Sequence, residues 1–233
     1  MKILGIDLET TGLDLGACKI LEIACAVWDT DCNRIMHSFS TVINCDTHPI
    51  LAEISKIHGL TNGNLKNNGV PLRPALEVVA DFCTKVDAIC AHNAINFDRV
   101  ILERDFEANG INIPQKTWID TQTDVDYPNS MSSRRLTHLA VDHGFLNMFP
   151  HQAMFDVATM LRILSSYDIG TVVSRAQSPL IVIRAVAPRE KNDEIRRRRY
   201  RWNPVKMIWH KTIRQFDLEK EIKEAPFTVE YAK

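Results

Sequence analysis

The chain has 233 residues, 45 % of them hydrophobic, with 28 Lys plus Arg against 29 Asp plus Glu; this excludes a mainly disordered or fibrous chain and allows one or two domains with real cores. No run of eighteen apolar residues occurs, and an acid at position 7 interrupts the amino-terminal segment before a signal-peptide pattern forms, so a cytoplasmic protein with no membrane partner is expected. The near-zero net charge hides a separation, because residues 1–166 hold 13 basic and 20 acidic residues whereas residues 167–233 hold 15 and 9. An acidic body over residues 1–166 and a small basic β-rich module over 177–233 are expected, with the boundary near 166–177. The six cysteines contain no CxxC pair and alternate with apolar residues, which predicts reduced thiols rather than a disulfide framework or a zinc site.

In chain order, residues 3–8 read as a β-branched strand that stops at Thr10, Thr11 and Gly12. Residues 19–29 and 36–44 alternate as two further strands, and loops too short for crossover helices make the three antiparallel. Apolar residues at helical spacing predict a helix over 72–86, followed by a short buried strand at 88–91. A second helix runs from about Phe97 to the Asn109-Gly110 stop, and Trp118 to Asp120 form a brief strand. Helices over about 136–143 and 152–164 complete the body. Hairpins followed by alternating helix and strand point to a mixed α/β (α+β) sheet with helices on its faces. In the module, residues 179–188, 207–213 and 227–231 read as strands and 199–204 as a strand edge and turn pairing with 207–213, with a short helix over 218–223.

Asp7 and Glu9 project from one face of the first strand, where two adjacent carboxylates repel unless a cation compensates them. A solvated strand end would satisfy the same string. Two other segments add weight to the cation. His92 and Asn93 follow a buried strand, with Asp98 in the first turn of the next helix; His151 precedes a helix in which Asp156 lies beside the apolar stripe formed by Ala153, Val157, Met160, Leu161 and Leu164. Four acids converging at strand and helix ends form a hard oxygen set of the type that holds magnesium or manganese.

These strings, DLETTG (7–12), HNAINFD (92–98) and HQAMFD (151–156), resemble the three signature motifs of the DnaQ-like 3′ to 5′ exonucleases, in the branch with a catalytic histidine (DEDDh). The resemblance spans residues 3–165. It implies a ribonuclease-H-like fold with a central five-stranded mixed sheet, two Mg²⁺ or Mn²⁺ ions, and hydrolytic release of nucleoside 5′-monophosphates from a 3′ end. By the same resemblance Asp7, Glu9, Asp98 and Asp156 hold the ions and His151 is the general base. The chemistry is consistent: two ions about 4 Å apart can activate water on one side of a phosphorus and stabilise the leaving oxygen on the other, and an imidazole can accept a proton near neutral pH. Thr10, Gly12 and Leu13 resemble the segment that contacts the terminal nucleotide. Asn93 is expected to bond a phosphate or fix its loop, and Phe97 is either a core residue or a base contact. His58 with Gly59 either closes the substrate side of the pocket or caps a helix. Asp120 is expected behind the ions and not as a ligand.

The tail interleaves Arg196, Arg197, Arg198 and Arg199 with Tyr200, Trp202 and Trp209, a mixture able to neutralise phosphates and stack on bases. The alternative is that the two tryptophans face each other across a hairpin as core. Within the family the body is more similar to exonuclease X and the proofreading subunits than to other branches, and the expected substrate is DNA, at single-stranded 3′ ends or duplex ends. An RNA-trimming enzyme of the same family, or a non-catalytic nucleic-acid-binding protein of the same fold, are the alternatives. The presence of all four acids and the histidine argues against the last.

Overall fold

The computed structural model describes residues 1–45, 49–128, 130–131 and 133–232, which divide into two compact units, Met1–Val172 and Val173–Lys233. Among the described residues no helix is long and apolar enough to cross a membrane.

The first unit opens with three long strands, β1 (Lys2–Thr10), β2 (Ile20–Asp29) and β3 (Arg34–Val42), paired antiparallel as hairpins. Two short helices follow, α1 (Ala52–His58) and α2 (Asn62–Asn68), and then α3 (Leu72–Thr84). β4 (Ala88–Ala91) lies parallel to β1; α4 (Asp98–Ala108) leads to β5 (Thr117–Asp120), parallel to β4. The five strands form one mixed sheet in the order β3-β2-β1-β4-β5. α5 (Leu136–Asp142) and α6 (Ala153–Leu164) close the unit.

β1 is central, and both its faces are covered, as its nearly continuous burial requires. Leu4, Ile6 and Leu8 face a core shared with Ile23, Cys25, Leu76, Val79 and Ile101. Gly5, Asp7 and Glu9 point to the other face, where α6 crosses β1 and β2. A Cβ on Gly5 would meet the Leu161 side chain at 3.1 Å, so glycine permits the close approach of α6.

The second unit follows from α7 (Ile169–Gln177), which spans the division and whose first turn is capped by Asp168 accepting the Thr171 N–H at 2.8 Å. The segment read from sequence as a boundary is therefore helical. Its apolar residues Ile169, Val172, Val173 and Ala176 sit at helical spacing, a period too short to stand out beside the composition change. β6 (Leu180–Val186), α8 (Asn192–Arg197), β7 (Arg201–Asn203), β8 (Ile208–Arg214), α9 (Leu218–Glu224) and β9 (Thr228–Tyr231) complete the chain. The strands form a four-stranded antiparallel sheet in the order β7-β8-β6-β9, over a small core of Ile183, Ile195 and Tyr200.

Candidate active site

The site lies where β1 outruns its parallel neighbour. β1 pairs with β4 only from Ile3 to Gly5, and β4 ends at Ala91, so beyond Gly5 the β1 backbone has no strand on that side. Asp98, at the start of α4, fills the vacated position: its Oδ1 accepts the Leu8 N–H at 3.2 Å, and the residue is only 3 % exposed. Crevices at the carboxyl ends of parallel strands are where α/β sheets place ligands.

Asp7 and Glu9 flank that bonded amide on the α6 face. In the register of β1 with β2, Asp7 stands opposite Ala24 and Glu9 opposite Glu22, and the pairing shifts between Glu9 and Thr10. Asp156, in the first turn of α6, is buried beside them. Its Oδ2 accepts the His151 N–H at 3.1 Å and its Oδ1 is bonded by the Asn147 side-chain amide. His151 has φ 63, a left-handed conformation that a non-glycine residue adopts at a cost, and its exposed ring has no hydrogen-bond partner among the described residues. Ligand atoms of Glu9, His151 and Asp156 all lie within 4.8 Å of one another. Asp7 and Asp98 are outside that tight set of three, yet Asp98, Asp156 and Glu9 all act electrostatically on the Asp7 carboxyl.

The electrostatics show how much negative charge is crowded here. Burial first, and then Asp98, Asp156, Glu9 and Glu22, push the Asp7 carboxyl well above the usual carboxylate range. Burial and the neighbouring acids push Glu9 up to about 8, and burial pushes Asp98 up to about 7 against the hydrogen bonds it accepts. Asp156 is raised by burial, with Asn147 and His151 opposing. Burial and mutual repulsion thus work against the ionised forms of these groups; a hard divalent cation is the charge this oxygen set fits.

Asp120 is fully buried at the end of β5 and ties the turn after β4 to the turn that follows β5. Its Oδ1 accepts the N–H groups of Asn93 (3.0 Å) and Gln122 (2.9 Å), and its Oδ2 that of Ile95 (3.2 Å). Asn93 is left-handed at φ 73, and its own side chain accepts from Asn96 at 2.9 Å, fixing the loop. Phe97 is half-buried and packs against the main core. Thr10 Oγ1 donates to the Gly12 carbonyl at 2.7 Å, and Leu13 stands 84 % exposed just beyond. His58 ends α1, with Gly59 as a left-handed cap. Its Nδ1 accepts the Leu60 N–H at 3.0 Å, which leaves the ring proton on Nε2, and that atom is buried with no partner among the described residues. Burial, and then the charge of His151, hold the His58 imidazole below its ordinary value.

Two residues of this region were not singled out from sequence. Glu22 is a lone acid within an apolar strand, a signal that simple alternation absorbs as an outward-facing residue; Asn147 sits in a loop with no pattern to mark it.

In the second unit the arginine run divides by partner. Arg198 binds Glu221 through Nε (2.9 Å) and Nη2 (3.1 Å), and Lys211 and the Tyr200 hydroxyl reach the same carboxylate. Burial alone would raise Glu221, but Arg198 and Lys211 hold it below its ordinary value. Arg196 lies in the last turn of α8, pairs with Asp193, and places its guanidinium over the Trp209 ring at 5.4 Å. Arg197 ends α8, and Arg199 follows at φ 66. Trp202 and Trp209 face each other across the β7–β8 hairpin with ring centroids 5.5 Å apart. Trp209 is half-buried, packs on the small core and donates to Asn192, whereas Trp202 is 43 % exposed.

A model of the RNase T exonuclease family matches residues 4–164, which includes Asp7, Glu9, Glu22, Asp98, Asp120, His151 and Asp156. The chain belongs to this exonuclease family. It is 34 % identical over 113 residues to the oligoribonuclease of Mycobacterium avium (strain 104), covering 44 % of this chain and 53 % of that protein. A 30 % match over 114 residues to the oligoribonuclease of Nocardia farcinica (strain IFM 10152) covers 44 % and 52 %. The chain thus spans about half the length of the curated relatives it matches. Among solved structures it is similar to Escherichia coli exonuclease I in complex with a dT13 oligonucleotide, with TM-score 0.63 and 16 % identity over 80 % of this chain and 48 % of that one. It is also similar to the nuclease domain of 3′hExo, a DEDDh family member bound to rAMP, with TM-score 0.58 and 16 % identity over 71 % and 90 %. The exonuclease family carries divalent metal ions, and its ribonuclease-H-like fold is the mixed five-stranded sheet seen here, with the second, antiparallel sheet added after it.

Proposed function

We propose that this chain is a 3′ to 5′ exonuclease that hydrolyses the terminal phosphodiester bond of DNA and releases nucleoside 5′-monophosphates. The observation that carries the reading is the convergence of Asp7, Glu9, Asp98 and Asp156 with His151 at the open end of β1, with carboxyls raised by burial and mutual repulsion.

In this reading Asp7, Glu9, Asp98 and Asp156 hold two Mg²⁺ or Mn²⁺ ions. When bound, such ions supply Lewis-acid stabilisation of the charge developing on the phosphoryl and leaving oxygens. His151 accepts the proton of the attacking water as its oxygen bonds to phosphorus and the bond to the 3′ oxygen breaks; the ring is exposed on the helix-entry loop, within reach of Glu9 and Asp156. The Asp156 carboxylate fixes the His151 backbone through its N–H, so a ligand and the base share one anchor. Thr10, Gly12 and the exposed Leu13 receive the terminal nucleotide, the leucine against its base. His58 closes the substrate side of the pocket, its buried Nε2 without a partner among the described residues. Asn93 serves by fixing its loop, and Phe97 serves as core. In the basic module the exposed Arg196, Arg197 and Trp202 are the nucleic-acid contacts; Arg198 and Trp209 are engaged in holding the module together.

A second reading, trimming of RNA 3′ ends, is favoured by the likeness to oligoribonucleases, whereas the body resembles exonuclease X by its motifs. Parallel digestion of 5′-labelled single-stranded DNA, duplex DNA and RNA, with magnesium or with chelator, decides between them. The DNA reading expects a magnesium-dependent ladder shortening from the 3′ end of DNA, with mononucleotides released. Degradation confined to RNA supports the second reading, and rapid cutting of a circular single strand contradicts both.

A further inference from the structure

We infer that Glu22 is a positioning residue for this reaction: its carboxylate holds the first turn of α6 on the sheet and so sets where Asp156 and His151 stand above β1. The inference rests on the proposed hydrolytic site, since it concerns the same residues.

The first turn of α6 has no cap of its own, because the Gln152 side chain makes no capping bond. The leading N–H groups of a helix need acceptors from elsewhere. Glu22, reaching from the middle strand of the hairpin sheet, provides one: its Oε2 accepts the Ala153 N–H at 3.3 Å. Its Oε1 accepts the Ser40 hydroxyl at 3.4 Å from β3, which fixes the rotation of the carboxyl. Ala153 is the first residue of α6, and Asp156 lies three positions on, on the same helix face. His151 lies two positions before Ala153, its own N–H tied to Asp156. The Ala153 N–H therefore lies between the proposed base and the proposed ligand in the chain, two residues after the first and three before the second, and Glu22 pins it.

The placement has an electrostatic cost, because Glu22 stands directly opposite Glu9. Like charges opposed across an antiparallel pair destabilise it. A carboxylate at a helix amino terminus recovers part of that cost through the helix dipole. If a simple outward acid were all that the fold required, an uncharged polar residue opposite Glu9 would serve the sheet better. The bond to Ala153 is what distinguishes Glu22 from such a residue.

Three variants of the full chain separate the hydrogen bond from the charge. Glu22→Gln keeps an acceptor oxygen at the same reach and removes the charge. Glu22→Asp keeps the charge but withdraws the oxygen by one methylene, and Glu22→Ala removes both. Steady-state kinetics with magnesium should show kcat lowered roughly 10-fold or more in the Asp and Ala variants, the scale expected when reacting groups are displaced by a fraction of an ångström to 1 Å. KM should change far less, and the Gln variant should recover most of the rate. A second readout needs no turnover: in metal-free protein, amide hydrogen exchange over residues 153–156 should accelerate in the Asp and Ala variants and stay slow in the Gln variant. The reverse order, with Asp close to wild type and Gln impaired, would assign Glu22 to cation binding by its charge and overturn the inference; so would unchanged exchange and kcat in all three. Absence of turnover in the wild-type chain would instead overturn the hydrolytic reading, and the exchange pattern would still decide the role of Glu22.

Discussion

Asp98 accepts the Leu8 N–H at 3.2 Å, so the peptide between Asp7 and Glu9 is bonded to the helix that delivers a third acid. A strand and a helix separated by ninety residues are thereby locked in the one geometry that brings three carboxyls to the same opening. The same oxygen that fixes the backbone belongs to a proposed ion ligand, which couples the fold to the chemistry.

That double role predicts a split between two variants. Asp98→Asn retains an oxygen that can accept from Leu8 and should fold with a melting temperature near wild type, while magnesium-dependent turnover drops roughly 10²-fold or more. Asp98→Ala leaves a buried amide without its partner and should also lose on the order of 1–3 kcal/mol of stability. Thermal melts and kcat on the same preparations check both.

Metal-free protein should become less stable as pH rises. Glu9 is raised to about 8 and Asp98 to about 7, with Asp7 and Asp156 raised as well, so the folded state binds more protons than the unfolded state above the ordinary carboxylate range. Stability contributed by the protonated groups is full below the unfolded values and is lost as pH climbs through the folded ones, a window of about pH 4.5 to 8. Magnesium requires the ionised groups, so its stabilising effect should grow across the same window. Melting temperatures from pH 5 to 8.5, with magnesium and with chelator, should diverge; parallel curves would contradict the assignment.

His151→Ala should leave cation binding close to wild type while lowering turnover roughly 10²-fold or more, within the range of general-base groups. An unchanged pH–rate profile with unchanged kcat would place the base elsewhere.

The basic module predicts different outcomes for neighbouring arginines. Arg198→Ala should destabilise the module, because Glu221 loses two donors in a largely buried setting. Arg196→Gln with Arg197→Gln should leave the fold intact, weaken nucleic-acid binding and flatten its salt dependence, since the slope scales with the phosphates neutralised. Likewise Trp202→Ala should cost binding, about 1–3 kcal/mol per stacked base, whereas Trp209→Ala should lower the melting temperature. Binding isotherms at two salt concentrations, paired with thermal melts, check the division.

Much of the body was legible because its signals are periodic. The alternation in 19–29, the helical stripe in 153–164 and the Asn109-Gly110 stop each reflect one element burying one face, and β2, α6 and the end of α4 fall there. The site acids were legible because an acid at a strand or helix end conflicts with that burial. Glu22 was not, because its role depends on its partner across the sheet and on a helix 131 residues away. α1 and α2 were missed for want of a stripe: α1 buries only His58 and α2 only Leu65, so neither shows an apolar period. Arg198 and Arg196 are indistinguishable in the run and differ only because Glu221 comes to one of them.

Cation binding by the site acids is measured most directly by titrating metal-free protein with Mn²⁺ in a calorimeter, for wild type and for Asp7→Asn. The account predicts two ions per wild-type chain, with release of protons at neutral pH, and loss of at least one ion with loss of activity in Asp7→Asn. Equal stoichiometry and equal affinity in the two proteins, or no binding to the wild type, would contradict it.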